Sequence, residues 1–186
     1  MVLSNIFKNI GKNRTVKNSD NAYILILEDD PDQMDLLTSF TLNEMQKFYD
    51  SENASAERKA KIEKIKVIPA TNIAILRKAV EKHQPIILAI LDCNIPDDED
   101  SEPHDQLIKE NHKITGKHRA VEILIKQNRE VPITMVSTLD RFKKIVFRHY
   151  NNKHDFHINF ISKKDREKIQ NNIGYYLRKH LRQAES

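Results

Sequence analysis

Five short apolar runs, separated by longer amphipathic stretches, decide most of what this chain can fold into. They are Tyr23–Leu27, Ile65–Ile68, Ile86–Leu91, Ile133–Val136 and Ile158–Ile161, each four to six residues long and rich in Ile, Val, Leu or aromatic side chains. Several are nearly continuous rather than alternating, as in strands covered on both faces. Between them the apolar residues recur at helical spacing: Met34, Leu37, Thr41, Met45 and Phe48; then Leu76, Ala79, Val80 and His83; then Val121, Leu124 and Ile125. Strand and helix in alternation predict right-handed crossovers and a doubly wound α/β fold, a parallel sheet with helices on both faces.

The first run ends in Glu28-Asp29-Asp30-Pro31. Asp30 can cap the next helix, Pro31 suits its first position, and Gln33 stands where a capping box places its partner. Two stretches read as insertions. Residues 49–61 are polar and should lengthen the first helix or its exit loop. Residues 97–117 form a long acidic connection. Connections of that length are commonly functional or disordered.

Composition excludes several function classes. The three glycines, Gly11, Gly116 and Gly174, lie too far apart for a P-loop or a dinucleotide fingerprint. A single cysteine, Cys93, rules out an intramolecular disulfide and a cysteine zinc cage. His104, His112 and His118 are spaced by eight and six, which puts no pair on one helix face, so a solvated loop is the reading there. No secretory signal and no membrane span is legible, and a reducing, cytoplasmic setting is the default. Net charge is +4 with few aromatic side chains and no Trp. That offers little base-stacking surface, and no nucleic-acid partner is expected. Charge is distributed unevenly. Residues 1–20 form a basic extension whose Val2, Leu3, Ile6, Phe7 and Ile10 have helical spacing. Asp97, Asp98, Glu99, Asp100, Glu102 and Asp105 come with no intervening Lys or Arg. Residues 143–186 hold eleven Lys/Arg against four Asp/Glu, a balance of +7.

In parallel α/β sheets, sites form at the carboxyl ends of the strands. After the first run come Glu28 and Asp29, after the third Asp92, after the fourth Ser137 and Thr138, and at the end of the fifth Lys163. Clustered carboxylates repel one another and call for a hard cation, most naturally Mg²⁺. A carboxylate beside such a metal can attack phosphorus. A lysine and a hydroxyl can hold the charge that spreads over the phosphoryl oxygens.

These stretches resemble the receiver domain of two-component response regulators. The likeness rests on Ile24-Leu25-Ile26-Leu27-Glu28-Asp29-Asp30-Pro31, Leu91-Asp92-Cys93-Asn94-Ile95-Pro96, Val131-Pro132-Ile133-Thr134-Met135-Val136-Ser137-Thr138 and Phe160-Ile161-Ser162-Lys163, and covers roughly residues 21–183. It implies a (βα)5 flavodoxin-like fold with strand order 2-1-3-4-5. It implies Asp92 as phosphoacceptor, Asp29 as a direct Mg²⁺ ligand, Glu28 acting through water, and Asn94 offering its backbone carbonyl. Lys163 would pair with the phosphoryl group, with Ser137 and Phe160 as switch residues. Thr138 and Leu139 would tune water access. The implied function is a single-domain response regulator, not an enzyme beyond its own Mg²⁺-dependent phosphorylation and dephosphorylation. It would take its phosphoryl group from a histidine kinase or histidine phosphotransfer protein and contact a downstream protein through the basic C-terminal face. Residues 21–186 would be the receiver, with no output domain following; whether it forms a homodimer is open.

The chain departs from that pattern at three points, one of them Thr138, which stands where the family carries a small residue and narrows access. Lys164 stands where the family carries a proline after a cis bond, which predicts a trans bond and a displaced Lys163. The glycine that should follow the third strand appears only at Gly116. These departures keep open a degenerate receiver that works without phosphorylation. A phosphatase resembling the haloacid dehalogenases is disfavoured. Asn94 replaces its second aspartate, and its acidic metal pair should follow the lysine rather than precede it.

Overall fold

The structure, a computed structural model, describes residues 21–95, 115–127, 130–138 and 158–182. The N-terminal extension, the acidic connection up to residue 114 with His104 and His112, the His118 side chain and Leu139 lie outside the described residues. Chain order is β1 (Ala22–Leu27), α1 (Pro31–Tyr49), α2 (Ala56–Glu63), β2 (Ile65–Ala70), α3 (Ile73–Lys82), β3 (Ile86–Asp92), α4 (Thr115–Gln127), β4 (Ile133–Ser137), β5 (Ile158–Ser162) and α5 (Arg166–Arg182). All strands pair in parallel in the order β2-β1-β3-β4-β5. This is the doubly wound fold that the alternation predicts.

Two apolar cores explain why the runs are continuous. On one face, Tyr23, Leu25, Leu27, Ala89 and Leu91 meet Leu76 and Val80 of α3 and Val121 and Leu124 of α4. On the other, Ile24, Ile26, Leu88 and Ile90 meet Leu37 and Phe40 of α1 and Ile173 and Leu177 of α5. Every residue of β1 is buried, so neither parity of the strand can be polar. Each fully buried Leu or Ile contributes roughly 2 kcal/mol of transfer free energy. β2 is an edge strand, and there Lys66 and Pro69 are exposed. Proline is tolerated at an edge because no ladder partner needs its missing N–H.

Two polar contacts cross the face covered by α5. Thr134 Oγ1 lies 2.6 Å from Asn172 Oδ1, and Asn159 Nδ2 donates to the Tyr176 hydroxyl at 3.1 Å.

The polar stretch 49–61 falls in the connection that leaves α1, the second of the two places expected for it, and part of it is helical. It does not lengthen α1. That helix stops at Tyr49, and the chain restarts as a separate helix whose N-cap Ser55 accepts the Arg58 N–H at 3.1 Å. Lys61 pairs with Glu57 at 2.7 Å one turn apart, and Ile62 is the residue α2 buries. A short cap, one i,i+4 pair and a single apolar anchor suffice because α2 also packs on α1, α5 and β2.

Candidate functional site

Three strand ends and one helix start converge at the carboxyl edge of the sheet. β1 delivers Glu28 and Asp29, and the Glu28 N–H is fixed by Ala70 O at 3.0 Å. β3 ends on Asp92, in register with Val136, and the next N–H, of Cys93, donates to Val136 O at 2.9 Å. β5 hands on Lys163, whose N–H donates to Ser137 O at 2.8 Å. Backbone ladders therefore set three of the functional positions, leaving only side-chain torsions to choose.

The side chains meet at Lys163. Its Nζ lies 2.7 Å from Glu28 Oε2 and 3.1 Å from Asp92 Oδ1. Glu28 is 1% and Asp92 3% exposed, whereas Asp29 stands at the surface. Burial raises the pKa of Glu28, with the charge of Asp92 adding to it and Lys163 opposing. Burial also raises Asp92, against the Lys163 ammonium and the Asn94 N–H, which bonds to its carboxylate. For Lys163, burial works against the charged form, but the bond to Glu28 and the two carboxylate charges outweigh it and raise its pKa. One ammonium thus serves two buried carboxylates and leaves the cluster negative at neutral pH.

Glu28, Asp29 and Asp92 each offer one carboxylate oxygen within 4.8 Å of the others. That is a hard-cation donor set, so the residues fit Mg²⁺. Around them opens a cleft of about 590 Å³ lined by Glu28, Asp29, Asp30, Pro31, Gln33, Asp92, Asn94, Thr138 and Lys163.

Most residues singled out from sequence come together here, with two set apart. Ser137 is buried at the end of β4, in register with Ser162, and the cleft is lined by Thr138 instead. Phe160 is half-buried and packs against the α3/α4 core. The Lys163–Lys164 bond is not cis, since the cis peptide among the described residues is Gln84–Pro85. Lys163 nonetheless reaches Asp92, with its N–H held by β4. Asp30, Pro31 and Gln33 also line the cleft, in addition to the helix-initiating roles that their positions after β1 predict. Asp30 does cap α1, accepting from the N–H groups of Asp32 at 2.9 Å and Gln33 at 3.2 Å. Its own N–H turns to Glu28 Oε1 at 3.4 Å rather than to Gln33. The available signal was position: α1 starts within four residues of the strand's end.

No protein-family model matches the chain, and no curated protein sequence matches it. Solved structures do. A response regulator receiver protein from Sinorhizobium medicae superposes with a TM-score of 0.50 at 11% identity, over 85% of this chain and 95% of that one. A response regulator receiver domain protein from Methanospirillum hungatei gives 0.50 at 17% identity, over 86% and 98%. The chain has the receiver-domain fold. Among the described residues no helix is long and apolar enough to cross a membrane.

Proposed function

We propose that this protein is a phosphoacceptor signalling protein that takes a phosphoryl group onto Asp92. The observation that carries the reading is Asp92 itself: a buried carboxylate at the mouth of a polar cleft, 3.1 Å from the Lys163 ammonium and grouped with Glu28 and Asp29. Burial without a fully matching countercharge makes the carboxylate more basic and a better nucleophile. The donor would be a histidine kinase or a histidine phosphotransfer protein. The Asp92 oxygen forms the new bond to phosphorus as the donor's P–N bond breaks, with that electron pair leaving on the imidazole. Lys163, in contact with Asp92, would hold phosphoryl oxygens. Thr138, at the cleft wall, would supply the hydroxyl donor, and Ser137, buried one residue behind it, would have to move to reach the group. Glu28, Asp29, Asp92 and the Asn94 carbonyl would hold Mg²⁺, which when bound supplies charge neutralisation for the transferred group. Phe160, on β5 and next but two to Lys163, would report the state of the site to the surface.

The protein works in the cytoplasm in this reading, signals by protein contact rather than by catalysis on a substrate, and presents its basic C-terminal helix to partners. A receiver that functions without phosphorylation would tolerate a misplaced lysine, whereas Lys163 is in contact with Asp92. That favours the phosphoacceptor.

Intact mass after incubation with acetyl phosphate tests the proposal. One phosphoryl adduct is expected with Mg²⁺, and none with EDTA or in Asp92→Ala. A beryllofluoride complex that forms with Mg²⁺ while acetyl phosphate fails would mean that small donors are excluded. Failure of both would sink the phosphoacceptor reading.

A further inference from the structure

At the opposite end of the sheet three helices meet around one ring. Phe48 lies 17 residues along α1, about 26 Å from the cleft at 1.5 Å per residue. The Arg58 guanidinium of α2 is 5.5 Å from its centroid, and that of Arg178 on α5 is 5.6 Å away. Beside them Lys59 covers the Tyr49 ring at 5.2 Å. Lys179 and Arg182 are exposed on the same helix as Arg178, as is Tyr175 at 57%.

Among the described carboxylates nearby, two are paired with lysines and two bond to neutral groups, while Glu52 is exposed. Glu57 pairs with Lys61 at 2.7 Å, Glu63 accepts from the Tyr49 hydroxyl at 3.1 Å, Glu44 pairs with Lys47, and Asp50 accepts from Gln46 at 2.8 Å. Among the described residues neither Arg58 nor Arg178 has an ion pair. The result is a cationic surface with two guanidiniums oriented by an aromatic ring, the residue types that anchor protein interfaces and bind carboxylates in bidentate fashion.

We propose that this surface docks the four carboxylates Asp97, Asp98, Glu99 and Asp100 of a second copy of the chain. No Lys or Arg interrupts them, and they complement the surface in sign. Chain length makes their contact intermolecular. Ile95 stands by the cleft, and Asp97, Asp98, Glu99 and Asp100 lie within five residues of it. At about 3.4 Å per residue they reach at most ~17 Å, short of a patch ~26 Å away. The contact is head-to-tail, because the two complementary surfaces differ. Such contacts build open chains unless the rotation closes a ring. An anionic membrane is a poorer occupant. The exposed large apolar side chains among the described residues are Leu42, Ile75 and Tyr175, on three separate helices.

This inference goes beyond the phosphoacceptor reading and its contacts do not depend on it. Sedimentation velocity of the full chain at rising concentration tests it. The parent should assemble, and both Arg58→Gln/Arg178→Gln and Asp97→Asn/Asp98→Asn/Glu99→Gln/Asp100→Asn should be monomeric while still folded and melting cooperatively. Mixing the two variants should give a one-to-one dimer and nothing larger, since each keeps one complementary surface. A labelled peptide of residues 97–105 should bind the parent at least tenfold more tightly than Arg58→Gln/Arg178→Gln. A monomeric parent at all concentrations, equal peptide binding by parent and patch variant, or a mixture that stays monomeric would overturn the proposal. So would tighter binding of a labelled single-stranded oligonucleotide or of phosphatidylserine vesicles than of the peptide. Intact mass with acetyl phosphate, read on the same preparations, separates the two readings: lost assembly with a retained adduct removes only this one, and the converse removes only the other.

Discussion

The carboxylate cleft and the cationic junction sit at opposite ends of one sheet and handle charge in opposite ways. In the cleft, Glu28 and Asp92 are nearly inaccessible and Lys163 is their shared counterion. At the junction, Arg178 is exposed and rests on Phe48 rather than on a carboxylate. The first is positioned by backbone ladders at strand ends, the second by side-chain packing between helices. Buried charge that is imperfectly compensated stores free energy that a ligand can release, whereas exposed charge stores little and acts by long-range attraction. Mutation and salt should therefore act on the two regions differently.

The largest effect is expected from Lys163→Met. It leaves two buried carboxylates facing each other without a cation, which costs about 3 kcal/mol at neutral pH and removes the adduct formed with acetyl phosphate. Denaturant unfolding at neutral and acidic pH checks it. The deficit should shrink as pH falls, because Glu28 and Asp92, both held above their ordinary values, take up protons early. A variant as stable as the parent at neutral pH would mean that the cleft stores no such energy.

Salt separates the regions next. Self-association through half-buried Arg58 and exposed Arg178 should weaken tenfold or more, about 1.4 kcal/mol, between low and high sodium chloride, since charges that face solvent are screened within a Debye length. The stability deficit of Lys163→Met should barely move over the same range. Sedimentation and denaturant unfolding at matched salt give both numbers.

How much of this was legible in the sequence follows from the same contrast. The strands show as apolar runs because burial on two faces leaves no room for polar residues, and Glu28, Asp29, Asp92 and Lys163 show because each stands within two residues of the end of a run. Strand order came with the family resemblance, not from periodicity. Whether Ser137 or Thr138 faces the cleft was not legible, because strand parity decides it and a run buried on both sides conceals its parity. The helix α2 was hidden by its polar composition, with Ile62 its one buried side chain. The Phe48–Arg58–Arg178 junction was beyond reach, since nothing in the spacing of three residues on three helices says that they touch.

A smaller effect of opposite sign is expected from Asp92→Asn. It removes one of two buried negative charges and leaves Glu28 matched to Lys163, so the variant should be more stable by about 1 kcal/mol at neutral pH, with function lost. The Asp92 pKa is raised above the ordinary 3.8, so folded protein holds its proton to higher pH than unfolded chain does. The parent's stability therefore falls as pH climbs from 3.8 through the raised value. The advantage of the variant opens across that window, is constant above it and vanishes below it. Thermal melting of the pair from acid to neutral pH traces this. An advantage that grew toward acid would reverse the electrostatic account of the cleft.

The smallest effect probes the junction from beneath. Gly174 of α5 faces Glu44 and Phe48 of α1. A Cβ there would stand 3.0 Å from Glu44 Oε2 and 3.9 Å from Phe48 Cε2. Alanine inside a helix is worth about 1 kcal/mol over glycine, but Glu44, paired with Lys47 and nearly buried, would have to shift by a few tenths of an ångström. In the parent the two should nearly cancel, so Gly174→Ala should change stability by well under ~1 kcal/mol. In a Glu44→Ala background the obstacle is gone and the full gain of about 1 kcal/mol should appear. The difference between backgrounds is the coupling of α1 to α5 at this point, and a double-mutant cycle by denaturant unfolding measures it. If Gly174→Ala gives the same gain in both backgrounds, Glu44 is freer to move than its contacts imply. The glycine would then not be what sets the α1–α5 approach that seats Phe48 between the two arginines.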